Sequence, residues 1–212
     1  MKILLATHNK HKIAELLKIL PQTNNKGEEI IYLSFADFPL IPEPEETGST
    51  LKENAALKAA YGLRKTGLIS LADDTGLTVD ALNGAPGVHS ARYAYPDRAD
   101  YPANNEKLLK ELSPFKKEQR SASFTTSAAL ALPGGEIIFK EGKVKGFITQ
   151  EYKGENGFGY DPLFFVTEAG KTMAEMTAEE KNKISHRFRA FKQMAEIIKT
   201  LKNVPAPKTA RG

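Results

Sequence analysis

Apolar residues recur along the chain with two different periods, and the switches between them mark out its elements. Lys2 to Thr7 carries a short apolar run that reads as a strand. From His11 to Leu20, the positions Ile13, Leu16, Leu17 and Leu20 fall on one helical face, and Pro21 ends that helix. A second strand is expected near Ile30 to Ser34. The stretch "FPLIPEPEETGS" that follows reads as loop, rich in proline and glutamate. Thr50 and Glu53 have capping-box spacing, which predicts a helix running to about Thr66 and closing at Gly67.

Further on, "LISLA" reads as a buried strand, Thr75-Gly76 as a turn, and "LTVDAL" as a possible further strand. A helix is expected from about Asn104 to Leu112. Residues 120 to 132 alternate as Ala122, Phe124, Thr126, Ala128, Leu130 and Leu132, the period-2 mark of a half-buried strand. Pro133-Gly134-Gly135 turns it back into "EIIFKEGKVKGFITQ", and "GENGFGYD" leads to a strand at "PLFFV". In the last helix Ile184, Phe188, Phe191, Ala195 and Ile198 share one stripe. His186 points almost opposite that stripe, so it is not expected in the core. Strands alternating with helices, then a run of strands, predict an α/β fold with a mixed central sheet flanked by helices.

Composition narrows the class. The chain has 212 residues, 41% hydrophobic and 26% charged, close to an average globular protein. No apolar run is long enough to span a bilayer, and the N-terminus lacks the length and cleavage site of a signal peptide. Cysteine is absent, which excludes thiolate metal sites and a cysteine nucleophile and fits a cytoplasmic protein. The net charge of +4 and pI near 9.0 suit an anionic partner. The lysines are scattered rather than striped, so a phosphate-bearing small molecule is at least as good a partner as nucleic acid. The tail from Asn203 is basic and proline-containing, and is expected to be disordered.

Against this background one string raises a question. In "LADDTG", Asp73 and Asp74 are adjacent after an apolar run, where two carboxylates repel and burial makes that worse. A positive partner is required. Carboxylates gathered from this segment and from "PEETGST", which carries Glu45 and Glu46, would suit Mg²⁺, a cation that prefers hard oxygen ligands and substrate phosphates. A solvated acidic loop and a self-capping turn explain the same strings. "THNKHK", between a strand end and a helix start, offers backbone N–H groups and lysines to a phosphate, or is simply a turn with an Asn cap. "GFGYD" lets backbone approach a flat ligand against Phe158, with Asp161 as acceptor, or is a plain glycine-rich connection. Lys181, His186 and Arg187 gather donors near a helix start, or form a solvated basic helix end. Together these stretches supply what a nucleoside triphosphate needs: a phosphate cradle, a metal clamp, an aromatic shelf and donors.

On these strings the sequence resembles the inosine triphosphate pyrophosphatase family, the non-standard purine NTP pyrophosphatases. The matching segments are "ATHNKHKIAEL", "EETGSTLKENAALKA", "ADDTGLTVDALNGAPGVHSARYA", "QRSASF", "GFGYDPLFF" and "MTAEEKNKISHRFRA", in family order from residue 1 to about residue 200. The family's Ser after the paired aspartates is Thr75 here, which keeps the hydroxyl. The resemblance implies residues 1–202 as a single mixed α/β domain in two lobes with an active-site cleft, usually as a homodimer. It also implies Mg²⁺-dependent hydrolysis of ITP, dITP and XTP to the monophosphate and pyrophosphate, cleansing the nucleotide pool. Carried over position by position, Thr7, His8, Asn9, Lys10, His11 and Lys12 bind phosphate, with Lys58 assisting. Glu45 and Asp74 are the metal positions, Asp74 also the proton acceptor. Thr75, Phe158, Gly159, Tyr160, Asp161, Lys181, His186 and Arg187 contact substrate. Asp73 is expected to support the site from behind. Competing readings are a nucleotide or single-stranded RNA binding module without hydrolysis, a related pyrophosphatase for modified pyrimidines and, weakest, a purely structural protein.

Overall fold

The computed structural model describes residues 1–202, and the expectation for the tail from Asn203 lies outside the described residues. Along the chain run β1 (Lys2–Leu5), α1 (Lys10–Ile19), β2 (Ile31–Ser34), α2 (Leu51–Thr66), β3 (Ile69–Val79), β4 (Pro86–Gly87) and α3 (Tyr101–Leu112). They are followed by β5 (Ser121–Ala131), β6 (Ile137–Ile148), β7 (Phe164–Val166), β8 (Lys171–Thr172), α4 (Ala178–Ile184) and α5 (His186–Thr200). The strands form one mixed sheet in the order β2-β1-β3-β5-β6-β7-β8, with β4 on β3. β1 runs parallel to β2 and β3, whereas β7 is antiparallel to β6 and β8. No helix among the described residues is long and apolar enough to cross a membrane.

The chain divides into two compact units. The first comprises Met1–Asp74, Ser127–Lys140 and the described residues from Ala190 on, and the second Thr75–Thr126 and Glu141–Arg189. In the first, period-2 alternation sends successive side chains to opposite faces of the sheet. Ile3, Leu5, Ile69 and Leu71 pack with Leu16 and Leu20 of α1 and with Phe191, Met194 and Ile198 of α5. Leu4, Ala6 and Ala72 face the other way, onto Ala55 and Ala59 of α2. Gly62 permits that close approach, because a Cβ there would lie 2.3 Å from Ser70 Oγ and 2.8 Å from Leu4 Cδ2. The second unit has its own core of Leu77, Val79, Leu108, Leu112, Phe124, Ile148, Phe164 and Val166. Each fully buried side chain of this size contributes about 1.5–3 kcal/mol.

Helix ends follow the sequence closely. Thr50 and Glu53 form the expected reciprocal cap of α2, and Gly67 closes it in the left-handed conformation at φ 70°. α3 starts earlier than the apolar spacing predicts, because Asp100 caps it and Pro102 is tolerated in the first turn.

Two expectations are overturned. Thr75-Gly76 is no turn: β3 runs unbroken for 11 residues through both aspartates. The strand continues because the Thr75 hydroxyl meets that of Thr126 on β5 at 2.7 Å and the apolar residues beyond it are buried. The last helix, moreover, does not include Ile184 in one continuous stripe. Ser185 is extended (φ −61°, ψ 155°), which ends α4, and its hydroxyl accepts from Phe188 N to start α5. His186 is consequently buried at 3% exposure, stacked on Phe124, whereas Phe188 is only half-buried. A stripe drawn through a continuous helix cannot show this, since the break resets the helical phase.

Candidate active site

Alternation on β3 answers the question posed by Asp73 and Asp74. Consecutive strand residues point to opposite faces, so the two carboxylates part and each takes its own cation. Asp73 faces α1, where Lys12 Nζ lies 3.2 Å away. Asp74 faces α2, where Lys58 Nζ lies 3.2 Å from its Oδ1 and the Asn54 amide donates to its Oδ2 at 3.1 Å. Within the fold, the positive partners are two lysines.

Lys58 is shared. Its ammonium also lies 2.6 Å from Glu46 Oε1, so one buried cation bridges two carboxylates. Asn54 is the strut of this arrangement: its Oδ1 accepts from Gly48 N at 2.8 Å while its amide holds Asp74. The loop bearing Glu46 is thereby tied to the strand bearing Asp74. Burial pushes the Asp74 carboxyl above the ordinary aspartate value; Lys58 pulls it down, Glu46 pushes it up again, and Lys12 and Asn54 oppose that. For Lys58, burial acts to lower its pKa, but Asp74, Glu46 and Asp73 together raise it. The two directions are compatible because Lys58 divides its charge between two acids. A carboxylate whose pKa is raised is better placed to take a proton near neutral pH.

The predicted phosphate segment is organised by its own cap. Asn9 Oδ1 accepts from His11 N and Lys12 N, and Thr7 Oγ1 accepts from Asn9 N. The first amides of α1 therefore point at an Asn side chain. Lys10 and His11 are exposed, and exposed His8 sets its ring 5.4 Å from that of Phe35 and its backbone N–H on the Glu43 carboxylate. Of the two acids singled out in the loop, Glu45 is exposed and Glu46 is the one on Lys58.

In the second unit, "GFGYD" forms a tight loop around one carboxylate. Asp161 Oδ2 accepts from Phe158 N at 2.9 Å and from Lys181 Nζ at 2.8 Å. Gly157 is required there, because a Cβ would fall 2.0 Å from that same oxygen at a φ of +80°. Lys181 Nζ lies 5.2 Å and the Arg187 guanidinium 5.8 Å from the Phe158 ring centre. Tyr160 is buried and donates to Ser90 O at 2.9 Å, so its hydroxyl serves the loop; burial pushes its pKa well up. His186 and Arg187, 3% and 2% exposed, occupy the first turn of α5.

The structure thus brings Lys12, Lys58, Asp73 and Asp74 together in one unit, and Phe158, Asp161, Lys181 and Arg187 together in the other. The sequence reading passed over Asn54, Asn104 and Asn105. Their signal was available: asparagine is a poor interior helix residue, so buried copies on α2 and α3 need a polar reason to be there. It also missed the role of Ser185, which a cap residue before "HRF" would have suggested. No group of three or more His, Cys, Asp or Glu side chains among the described residues is arranged to hold a metal ion by itself.

The fold is that of a mixed α/β protein with lysine-bridged carboxylates in one unit and an aromatic ring beside cations in the other. The profile of the Ham1 family matches residues 3–197, and the chain belongs to that family. It is 55% identical over 199 residues to the dITP/XTP pyrophosphatase of Elusimicrobium minutum, covering 94% of this chain and 100% of that one. Against the dITP/XTP pyrophosphatase of Bacillus licheniformis it is 46% identical, covering 93% and 97%. The solved Ham1 protein of Staphylococcus aureus superposes with a TM-score of 0.82 at 37% identity, covering 95% and 100%.

Proposed function

We propose that this protein hydrolyses non-standard purine nucleoside triphosphates, ITP, dITP and XTP, to the nucleoside monophosphate and pyrophosphate, as a cytoplasmic homodimer using Mg²⁺ and without nucleic-acid or membrane partners. The observation that carries the reading is Asp74: a buried carboxylate with a raised pKa, fixed by Lys58 and Asn54 beside a second acid, Glu46. The relatives named dITP/XTP pyrophosphatase support the substrate class.

Asp74 orients a water and takes its proton as the water oxygen bonds to phosphorus. The anhydride bond between the α- and β-phosphates breaks, and its electrons leave with pyrophosphate. Lys10, Lys12 and Lys58 balance the growing negative charge, and Asp73 positions Lys12. The donor set fits Mg²⁺. Glu46 and Asp74 are hard-oxygen ligands already drawn onto one cation, and Mg²⁺ commonly takes one or two carboxylates with substrate phosphates completing its shell. Asp74 and an acid of the Glu45–Glu46 pair would hold it. When bound, the ion supplies positive charge to the phosphate oxygens and the leaving group.

Phe158 offers its ring to the base, with Thr75, the Gly159–Asp161 loop and Lys181 beside it. His186 and Arg187 supply donors for the oxygen at C6 of hypoxanthine or xanthine, where adenine has an amino group. A site that hydrogen-bonds its substrate rejects a mismatched one by about 10⁴, against about 10–200-fold for shape alone.

The test is product analysis of the purified protein with ITP, with and without Mg²⁺, beside GTP and ATP. Metal-dependent release of IMP and pyrophosphate from ITP, with little turnover of the others, is expected. Release of single phosphates would overturn the bond assignment. A folded protein with no turnover of any nucleotide would favour nucleotide or single-stranded RNA binding instead.

A further inference from the structure

α3 carries two consecutive buried asparagines that do different things. Asn104 is fully used on its neighbours: its Oδ1 accepts from Ala94 N, and its amide donates to Ser90 O and Ala91 O. It holds the chain before the helix. Asn105, 4% exposed, instead reaches into the "GFGYD" loop, where its amide donates to Gly159 O at 3.0 Å. Its Oδ1 is buried with no hydrogen-bond partner among the described residues.

This is an expensive way to build a helix. Asparagine is a weak helix former, and a desolvated acceptor without a partner is destabilising. Leucine would suit the same buried position better if stability were the only demand. What asparagine gains is the hold on one carbonyl. One helical turn earlier, Tyr101 lies on the same face of α3 and sets its ring 6.0 Å from that of Phe158. Gly159 itself sits at φ +66°, with Tyr101 the nearest group to where a Cβ would be. The loop is therefore fixed at three points: Phe158 N by Asp161, Gly159 O by Asn105, and the Tyr160 hydroxyl by Ser90 O. Of the three aromatic and acidic side chains in the loop, only Phe158 stays partly exposed.

We infer that Asn105, aided by Tyr101, is a positioning residue for base selectivity, acting through Gly159 to set the plane of the Phe158 ring. The inference rests on the proposed role of Phe158 as the base platform. Asn105 does not touch the nucleotide; it fixes the Gly159–Tyr160 peptide, one peptide beyond the residue that carries the ring. A tilt of that ring weakens stacking and misaligns any base lying on it, while leaving the carboxylate chemistry of Asp74 intact.

The experiment compares wild type with Asn105→Leu, Asn105→Asp and Tyr101→Leu. It measures kcat and KM for ITP and ATP, melting temperature, and calorimetric binding of IMP, which reads the loop without turnover. Asn105→Leu is expected to keep its melting temperature and kcat but raise KM for ITP roughly two- to tenfold, the worth of one hydrogen bond. IMP affinity should fall in parallel, and the preference for ITP over ATP should narrow. Asn105→Asp, the same shape with no donor and a charge facing the carbonyl, should do more. If Asn105→Leu does not fold, Tyr101→Leu is expected to show the same split through the ring contact. Unchanged KM, IMP affinity and selectivity in folded variants would overturn the inference, as would a loss confined to kcat. A wild type that binds IMP but does not cleave ITP would defeat the hydrolase reading and leave the Asn105 effect readable in binding. A wild type that does neither would end both.

Discussion

Each compact unit buries a lysine against aspartate, and the two pairs differ in the charges around them. In the first unit Lys58 serves two acids, Glu46 and Asp74, and with Lys12 on Asp73 the contacts set three carboxylates beside two ammonium groups. In the second, Lys181 meets Asp161, and the same carboxylate oxygen also accepts from Phe158 N. Arg187 adds a further positive charge near that ring. Acid in excess of base suits one more cation and a proton to be removed. Base in excess of acid, beside an aromatic face, suits an acceptor-rich planar ring. On the proposed function, one residue pair would serve two tasks, according to the charges that surround it. Both units also use a buried asparagine on a helix as a strut, Asn54 onto Asp74 and Asn105 onto Gly159.

The sharpest way to break this contrast is Asp74→Asn. Turnover of ITP should fall about 10²- to 10⁴-fold, the usual worth of a general base. The melting temperature should stay at or above that of wild type, because burial opposes the charge being removed. Wild-type activity in that protein would take the base out of the first unit.

Next in size is a stability comparison. Lys58→Met takes the shared cation from two acids, Glu46 and Asp74, and should cost about 3–5 kcal/mol in urea unfolding. Lys181→Met takes a cation from one acid, Asp161, which still accepts from Phe158 N, and should cost less while raising KM for ITP. Equal losses would mean that the two pairs are not different devices.

Phe158→Ala addresses the second unit directly. Loss of base stacking, about 1–3 kcal/mol, should raise KM for ITP with kcat nearly unchanged. Arg187→Ala should narrow the gap between ITP and ATP, and an unchanged ratio would remove it from base reading.

The smallest effect concerns pH. Hydrogen bonds to Lys171 and to the Thr177 backbone hold Glu180 below the ordinary glutamate value, and the Thr172 backbone does the same for Glu175. In the first unit, Ser49 lowers Glu53. For a carboxyl lowered by folding, the contribution to stability is complete above the unfolded value and is lost as pH falls through that value to the folded one. Melting temperature should therefore decline below about pH 4.5, the ordinary value for these groups. Glu180→Gln should flatten that decline slightly; an unaltered profile would show that the cap is not felt.

What the sequence determined by itself was local. Capping at Thr50 and Glu53, the stop at Gly67, the alternation along β5 up to Thr126 (beyond which both faces are buried) and the family of the chain all rest on neighbours a few residues apart or on ordered strings. These signals survive because hydrogen bonds at a helix end and side-chain alternation in a strand are set by adjacent backbone. Tertiary structure decided the rest. Thr75-Gly76 reads as a turn from its local residues, whereas Thr126 on β5 meets Thr75 in a continuing strand, and Lys12 and Lys58, far off in sequence, neutralise Asp73 and Asp74. Glu46 rather than Glu45 meets Lys58 because of how Asn54 ties down the loop at Gly48, a contact no spacing rule reports. His186 is buried because Ser185 interrupts the helix and Phe124 lies where its ring turns. Buried charge and buried polar groups depend on partners that folding alone brings within reach, and the candidate site is made of little else.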